Sequence, residues 1–217
     1  MGFNVKLYKG VIFLNEFIFK GLSDEEKESI CADNGISELS FKKGEILKKD
    51  IESGILIVDS GMVQLKSVDD DGNENILLYA EKNDIITDRL FGFAANTNSY
   101  IKIIQDTKMT YIRRDKLKNG DSAIKVLNNI FRLYEETSKK IMQHTAVVMN
   151  RSIRRKLCEF FEQQRKEKKS VKFKIPLTMT ELSYYIGAER TAMMREIKKM
   201  RDEGLITSQN RVITILK

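Results

Sequence analysis

The chain has 217 residues, 41% of them apolar and 32% charged, which allows one or two domains with a real core and excludes compositional disorder. Its net charge of +7 is uneven: residues 151–217 hold 17 Lys and Arg against 8 Asp and Glu, whereas residues 1–150 carry a small negative excess. Two distant cysteines, Cys31 and Cys158, and a single histidine, His144, exclude a disulfide framework and a cysteine-only cluster, and argue against histidine-rich zinc sites and hydrolase triads.

Met1 to Lys20 is broken by Lys6, Lys9, Glu16 and Lys20, so neither a signal peptide nor a membrane span is expected and the cytoplasm is the expected compartment. Ser23-Asp24-Glu25-Glu26 is a capping box that should open a short helix over about 24–33. Strands are then expected at 38–41, 43–47, 54–58 and 61–66. The last runs into Asp70-Asp71-Gly72-Asn73, a hairpin signal, and returns over 75–80. Further strands are expected at 99–104 and 109–112. Ten of the twelve glycines lie at or before Gly120, and neither Gly nor Pro occurs from Asp121 to Ile175. The first part therefore reads as glycine-punctuated β structure of sandwich or jelly-roll type, and the stretch after Gly120 as helix.

Leu127, Phe131, Tyr134, Ser138, Ile141, Thr145 and Val148 follow one another in alternating steps of four and three. That is a heptad seam over three repeats, longer than an average helix. A helix lying on its own sheet uses a similar stripe, and Ser138 and Thr145 weaken the seam. A parallel homodimer through Leu127, Phe131, Tyr134, Ile141 and Val148 is the expectation. Asn150 or Ser152 can cap a helix over Ile153 to Gln164, with a polar turn at 165–170 and a small strand at 171–175 stopped by Pro176, the only proline. Cys31 and Cys158 are expected to be buried filler.

Thr178-Met179-Thr180-Glu181 is a second capping box, opening a helix that Gly187 ends. A second helix follows from about Arg190 to Glu203, closed by Gly204. Met193, Ile197 and Met200 fall on one side of it, and Thr191, Met194, Arg195 and Lys198 on the other. Leu205 to Thr207, a turn at 208–210 and Arg211 to Ile215 make a wing. Helix, glycine turn, basic helix and wing inside the positive segment point to nucleic acid first and an anionic membrane second.

In order along the chain, Phe17-Ile18-Phe19-Lys20-Gly21-Leu22-Ser23, Phe41-Lys42-Lys43-Gly44-Glu45-Ile46-Leu47, Ser60-Gly61-Met62-Val63-Gln64-Leu65 and Asp71-Gly72 resemble the landmarks of the cyclic-AMP receptor protein/FNR (Crp/Fnr) family. Leu177 to Leu182, Gly187, Arg190, Arg195 and Gly204-Leu205-Ile206 resemble its winged helix-turn-helix. The resemblance implies an α+β chain. A jelly-roll sensor of the cyclic-nucleotide-binding type would occupy 1–120, a dimerisation helix 121–149, and a winged helix-turn-helix DNA-binding domain 150–217. It implies transcription regulation as a homodimer on double-stranded, palindromic DNA, with RNA polymerase and a small-molecule effector as further partners; no nucleophile–base pair, phosphate loop or metal cluster is visible in the sequence, so no enzyme activity is expected. Arg190 and Arg195 match the family's arginines on the recognition helix, Thr191 stands where many members have Glu, and Met194 offers an apolar surface. Thr178, Thr180 and Lys198 are expected on phosphates.

The departures concern the effector. Cyclic-nucleotide binders of the family carry a Gly-Glu-Leu phosphate cassette followed by an arginine motif. Here Asn83 to Gly92 has no Gly-Glu-Leu, and Asn98-Ser99-Tyr100-Ile101 has no arginine. Counting along the helix, the family's adenine-binding Thr-Ser pair falls on Ile141-Met142, which cannot hydrogen-bond a base. Arg89 is the one candidate contact for an anionic effector, with Ile141 and Met142 beside the same pocket. Cyclic AMP, an iron–sulfur cluster and haem are all disfavoured; no metal or cofactor is expected, and His144 is expected to be structural. Effector-free binding, regulated by abundance alone, stays open as the alternative.

Overall fold

The computed structural model describes residues 15–32, 35–48, 54–72, 74–87, 98–113, 117 and 120–216. In chain order the elements are α1 (Asp24–Ala32), β1 (Ile36–Phe41), β2 (Ile46–Lys48), β3 (Gly54–Ser60), β4 (Val63–Val68), β5 (Glu74–Ala80), β6 (Ile85–Thr87), β7 (Asn98–Ile103) and β8 (Thr107–Arg113). They continue as α2 (Asp121–Val148), α3 (Ile153–Lys168), β9 (Lys172–Lys174), α4 (Met179–Ile186), α5 (Arg190–Asp202), β10 (Ile206–Gln209) and β11 (Val212–Ile215). Two compact units result: Met1–Gly72 with Leu78–Lys139, and Asn73–Leu77 with Lys140–Lys217. The division falls inside α2. No described helix is long and apolar enough to cross a membrane.

The strands before α2 form two four-stranded sheets, ordered β1-β8-β3-β6 and β2-β7-β4-β5. Alternation sets which side chains share a face. Val63 and Leu65 of β4 pair with Ile103 and Ile101 of β7, and all four are buried. On the first sheet, Ile36, Ile55, Ile57, Ile85 and Ile112 pack with Ile18, Phe19 and Leu22 and with Val126, Ile130 and Leu133 of α2. Asn129 of α2 donates to the carbonyls of Ile18 and Lys20, and Thr137 accepts from the Ile85 amide at 3.0 Å. These polar contacts fix the helix on the sheet in both rotation and height.

The capping box at Ser23 forms as expected: its amide donates to Glu26 at 2.7 Å and the Glu26 amide donates back to its hydroxyl. Several boundaries moved. The strand expected at 43–47 begins only at Ile46, because Lys42 to Glu45 is a turn with Gly44 at φ +94°. Gly61 likewise turns the chain at φ +90°, and a Cβ there would collide with the Asp106 carbonyl. β6 was not expected; three residues give too little periodicity, and its pairing with β3 defines it.

α2 carries apolar side chains on two faces, one buried and one exposed. Ala123, Val126, Ile130, Leu133 and Thr137 are buried, while Leu127, Phe131 and Tyr134 stand 47%, 60% and 39% exposed. In the part of α2 that belongs to the second unit, Val147 and His144 are buried, Ile141 is half-buried, and Met142 and Val148 are exposed. His144 Nε2 lies 2.7 Å from the Tyr185 carbonyl and its ring centroid 4.1 Å from that of Tyr185. Burial lowers its pKa, so the neutral ring is the form that fits there. Cys31 is half-buried against the first core, but Cys158 is exposed, which corrects the expectation that both are filler.

α3 is capped by Ser152, whose hydroxyl accepts from Arg155 N. It runs to Lys168, beyond the expected Gln164. Glu162 pairs with Arg165 at 2.7 Å and with Lys166 at 3.5 Å, and the basic last turn suits the negative end of the helix. Lys169, at φ +50°, closes it. Leu157, Phe160 and Phe161 bury the inner side and pack with Phe173 and Tyr185.

Candidate nucleic-acid interface

Residues α4, α5 and β9–β11 build the site, and local sequence sets most of it. Thr178 caps α4: its hydroxyl accepts from the Glu181 amide at 3.2 Å, and its own amide donates to the Glu181 carboxylate at 2.8 Å. Gly187 closes α4 at φ +58° with only open space and the Lys156 ammonium nearby, so its backbone angle and not crowding demands glycine. Lys156 of α3 donates to the carbonyls of Ile186 and Gly187 at 2.8 and 3.2 Å. The turn between the helices is thus tied to a third helix.

The cap of α5 is Glu189. Its carboxylate accepts from the amides of Thr191 and Ala192 at 2.7 and 2.6 Å. Those bonds hold it below the usual glutamate range. Met193, Ile197 and Met200 are buried on the inner side of α5. Arg190, Thr191, Met194, Arg195 and Lys198 are all exposed, in a stripe with four-residue steps. The structure therefore brings together every residue expected to read bases. Thr178 and Thr180, at the start of α4, are exposed as well. The Thr178 hydroxyl accepts in its cap and keeps its proton available to donate.

Glu196 and Glu189 are the two carboxylates that could have occupied Arg195. Glu189 bonds the α5 amides and interacts with Arg195 through charge alone, and Glu196 is held by Arg154 of α3. Arg154 also forks onto Glu203 with both terminal nitrogens, at 2.6 and 2.7 Å. The sequence reading missed this trio, because the partners are 42 and 49 residues apart. Arg201 and Lys199 add further exposed cations on α5.

The wing is a three-stranded sheet ordered β10-β11-β9. Gln209 pairs with Val212, so the turn is Asn210-Arg211 and not 208–210 as expected. Both residues have positive φ, +49° and +65°, which suits the twist of a two-residue hairpin.

Of the effector candidates, Arg89 lies outside the described residues. Ile141 is half-buried and Met142 69% exposed. The described groups of the first unit include a buried polar set. Asn15 donates from its amide to the Thr110 hydroxyl at 3.1 Å, and Thr110 donates to Asp59 at 2.8 Å. Burial pushes the Asp59 carboxyl up to about 6, with nearby Glu38 adding to the rise against those hydrogen bonds.

Residues 153–217 match the family model of the Crp-like helix-turn-helix domain. No curated protein matches the sequence. Solved structures share the fold over most of the chain. One is described as a transcriptional regulator of the Crp/Fnr family from Eubacterium rectale, at 21% identity and TM-score 0.58, covering 90% of this chain and 91% of that one. A CooA mutant from Carboxydothermus hydrogenoformans matches at 18% identity and TM-score 0.67, covering 85% of each chain. The c-di-GMP responsive global regulator CLP of Xanthomonas campestris matches at 14% identity and TM-score 0.66, covering 86% of this chain and 96% of that one.

Proposed function

From a chain with a Crp-like helix-turn-helix domain and the fold of the Crp/Fnr transcription regulators, we propose a dimeric, sequence-specific DNA-binding regulator that works in the cytoplasm. The observation that carries the reading is the exposed stripe Arg190, Thr191, Met194, Arg195 and Lys198 on the second helix of the motif. Arg190 and Arg195 can each present two donors to guanine O6 and N7, Thr191 and Met194 tune neighbouring positions, and Thr178, Thr180 and Lys198 hold phosphates.

The exposed seam of α2 supports the dimer. Leu127, Phe131, Tyr134 and Val148 are exposed and Ile141 is half-buried, and together they would meet a partner helix. Two recognition helices related by a two-fold axis would enter successive major grooves of a palindromic operator. The division of labour is a sensor over 1–120, a dimer helix over 121–149 and a DNA-binding domain over 150–217. RNA polymerase is a further partner.

The effector is not a cyclic nucleotide in this reading. The Gly-Glu-Leu cassette is missing, and Ile141-Met142 stands where an adenine would need hydroxyls. A ligand shifts an equilibrium only through differential affinity, and the sequence lacks the family's phosphate cassette that would supply it. An abundance-tuned, effector-free regulator is the second reading, favoured by the same absence.

Binding-site selection from random duplexes, followed by sedimentation of the free and bound chain, tests the proposal. A recovered palindrome bound by two chains is the expected outcome. Recovery of no preferred sequence would remove the function. Calorimetry with cyclic AMP and cyclic GMP should show no micromolar binding, and native mass spectrometry of freshly purified protein checks for a different co-purified molecule.

A further inference from the structure

Arg154 lies in the first turn of α3 and grips α5 from outside the helix-turn-helix. Its Nε donates to Glu196, and its two terminal nitrogens donate to both oxygens of Glu203. Glu203 caps the C-terminus of α5 seven residues after Glu196, so one guanidinium ties the middle of the helix to its end. Two residues further along α3, Lys156 holds the carbonyls of the turn that feeds α5. The Glu196 carboxylate, only 18% exposed, is thereby kept off the reading stripe, one residue from Arg195.

We propose that Arg154 is a positioning residue for sequence reading: it fixes the rotation of α5 through Glu196 and Glu203 and leaves the Arg195 guanidinium available to a base. The inference rests on the DNA-binding function proposed above. A two-donor contact to guanine tolerates little displacement, because both hydrogen bonds need good distance and angle at once. Phosphate contacts tolerate more, so loss of the fork degrades discrimination before it degrades non-specific affinity. Lysine is no substitute, since it keeps the charge and loses the planar fork.

The test titrates full-length wild type, Arg154→Lys, Arg154→Ala and the double variant Glu196→Gln/Glu203→Gln by fluorescence anisotropy. The probes are the duplex that wild type selects and a scrambled duplex, over a range of salt. The expected result is a fall of about tenfold in the ratio of specific to non-specific affinity for Arg154→Lys and for the double variant, with the salt slope unchanged. The double variant is the sharper arm. It removes two carboxylates that repel DNA, so a clamp serving only charge balance would raise both affinities together and leave the ratio alone, which overturns the proposal. A salt slope lower by about one in Arg154→Ala, with the ratio unchanged, would make Arg154 a phosphate contact and overturn it as well. Thermal melts run beside the titrations; should an Arg154 variant fail to fold, the double variant decides. If wild type itself prefers no sequence, the DNA-reading function falls and the clamp with it. If wild type discriminates and all variants do so equally, only the clamp falls.

Discussion

In the strand-rich unit, Glu38, Asp59 and Thr110 draw two carboxyl groups and a hydroxyl into the interior or its margin. In the helical unit, Arg190, Arg195 and Lys198 stand in solvent on one stripe. The difference follows from solvent access. A polyanion outside the molecule is met by exposed cations that carry little desolvation cost. Polar groups turned inward must be matched by partners within the fold, and where the match is incomplete the protonation equilibrium moves instead. Among the described residues, one buried oxygen each of Glu38 and Asp59 has no hydrogen-bond partner, and the Asp59 pKa rises. α2 carries the same contrast along one helix: one face is spent on its own unit and the other is left open.

The largest expected effect separates those two faces. Leu133→Ala should cost about 2–5 kcal/mol of folding stability, because Leu133 is 4% exposed within the core cluster. Phe131→Asp, on the open face, should leave the melting temperature of the isolated chain nearly unchanged and shift the sedimentation of the protein from dimer to monomer. Equal losses of stability in both variants would show that the open face is not a separate surface.

Next comes the inward polar set. The folded pKa of Asp59 lies above its unfolded value, so the folded chain holds an extra proton between about pH 4 and 6. The stability tied to this group is fully present below about pH 4 and is lost as pH rises through 6. Asp59→Asn should therefore be more stable than wild type at pH 7.5, by up to ~3 kcal/mol, with the gap closing toward pH 4. Urea midpoints across that range measure it, and a gap that does not change with pH would place the effect elsewhere.

On the outward stripe, Arg195→Ala should cost ~1–3 kcal/mol on the selected duplex and relax the preference at one base pair. Lys198→Ala should weaken all duplexes alike and lower the salt slope by about one. An unchanged preferred sequence for Arg195→Ala would remove Arg195 from the reading set. The smallest effect is at the α4 cap. Thr178→Ala should lower stability by about 1 kcal/mol, through loss of the bond to the Glu181 amide, as followed by thermal melting.

Much of the helical unit could be read from local spacing. The capping box at Thr178, the left-handed glycine at 187 and the split of α5 into Met193-Ile197-Met200 against Arg190-Met194-Lys198 depend on residues within two or three turns of one another. The same holds for the capping box at Ser23 and for the hairpin at Gly72. Local hydrogen bonds and helix period operate before any tertiary contact forms, so sequence alone determines them, and with them the positive stripe that points to DNA. Only tertiary structure decided what joins distant segments. The three residues of β6 become a strand by pairing with β3. Burial, neighbouring Glu38 and the Thr110 bond together set the Asp59 proton. Arg154 finds Glu196 and Glu203 only once α3 and α5 are packed. Periodicity in α2 announced an apolar stripe without saying what would cover it. The fold assigned Val126, Ile130 and Leu133 to the sheet and left Leu127, Phe131 and Tyr134 uncovered, because a helix on a sheet can bury only one side of its circumference.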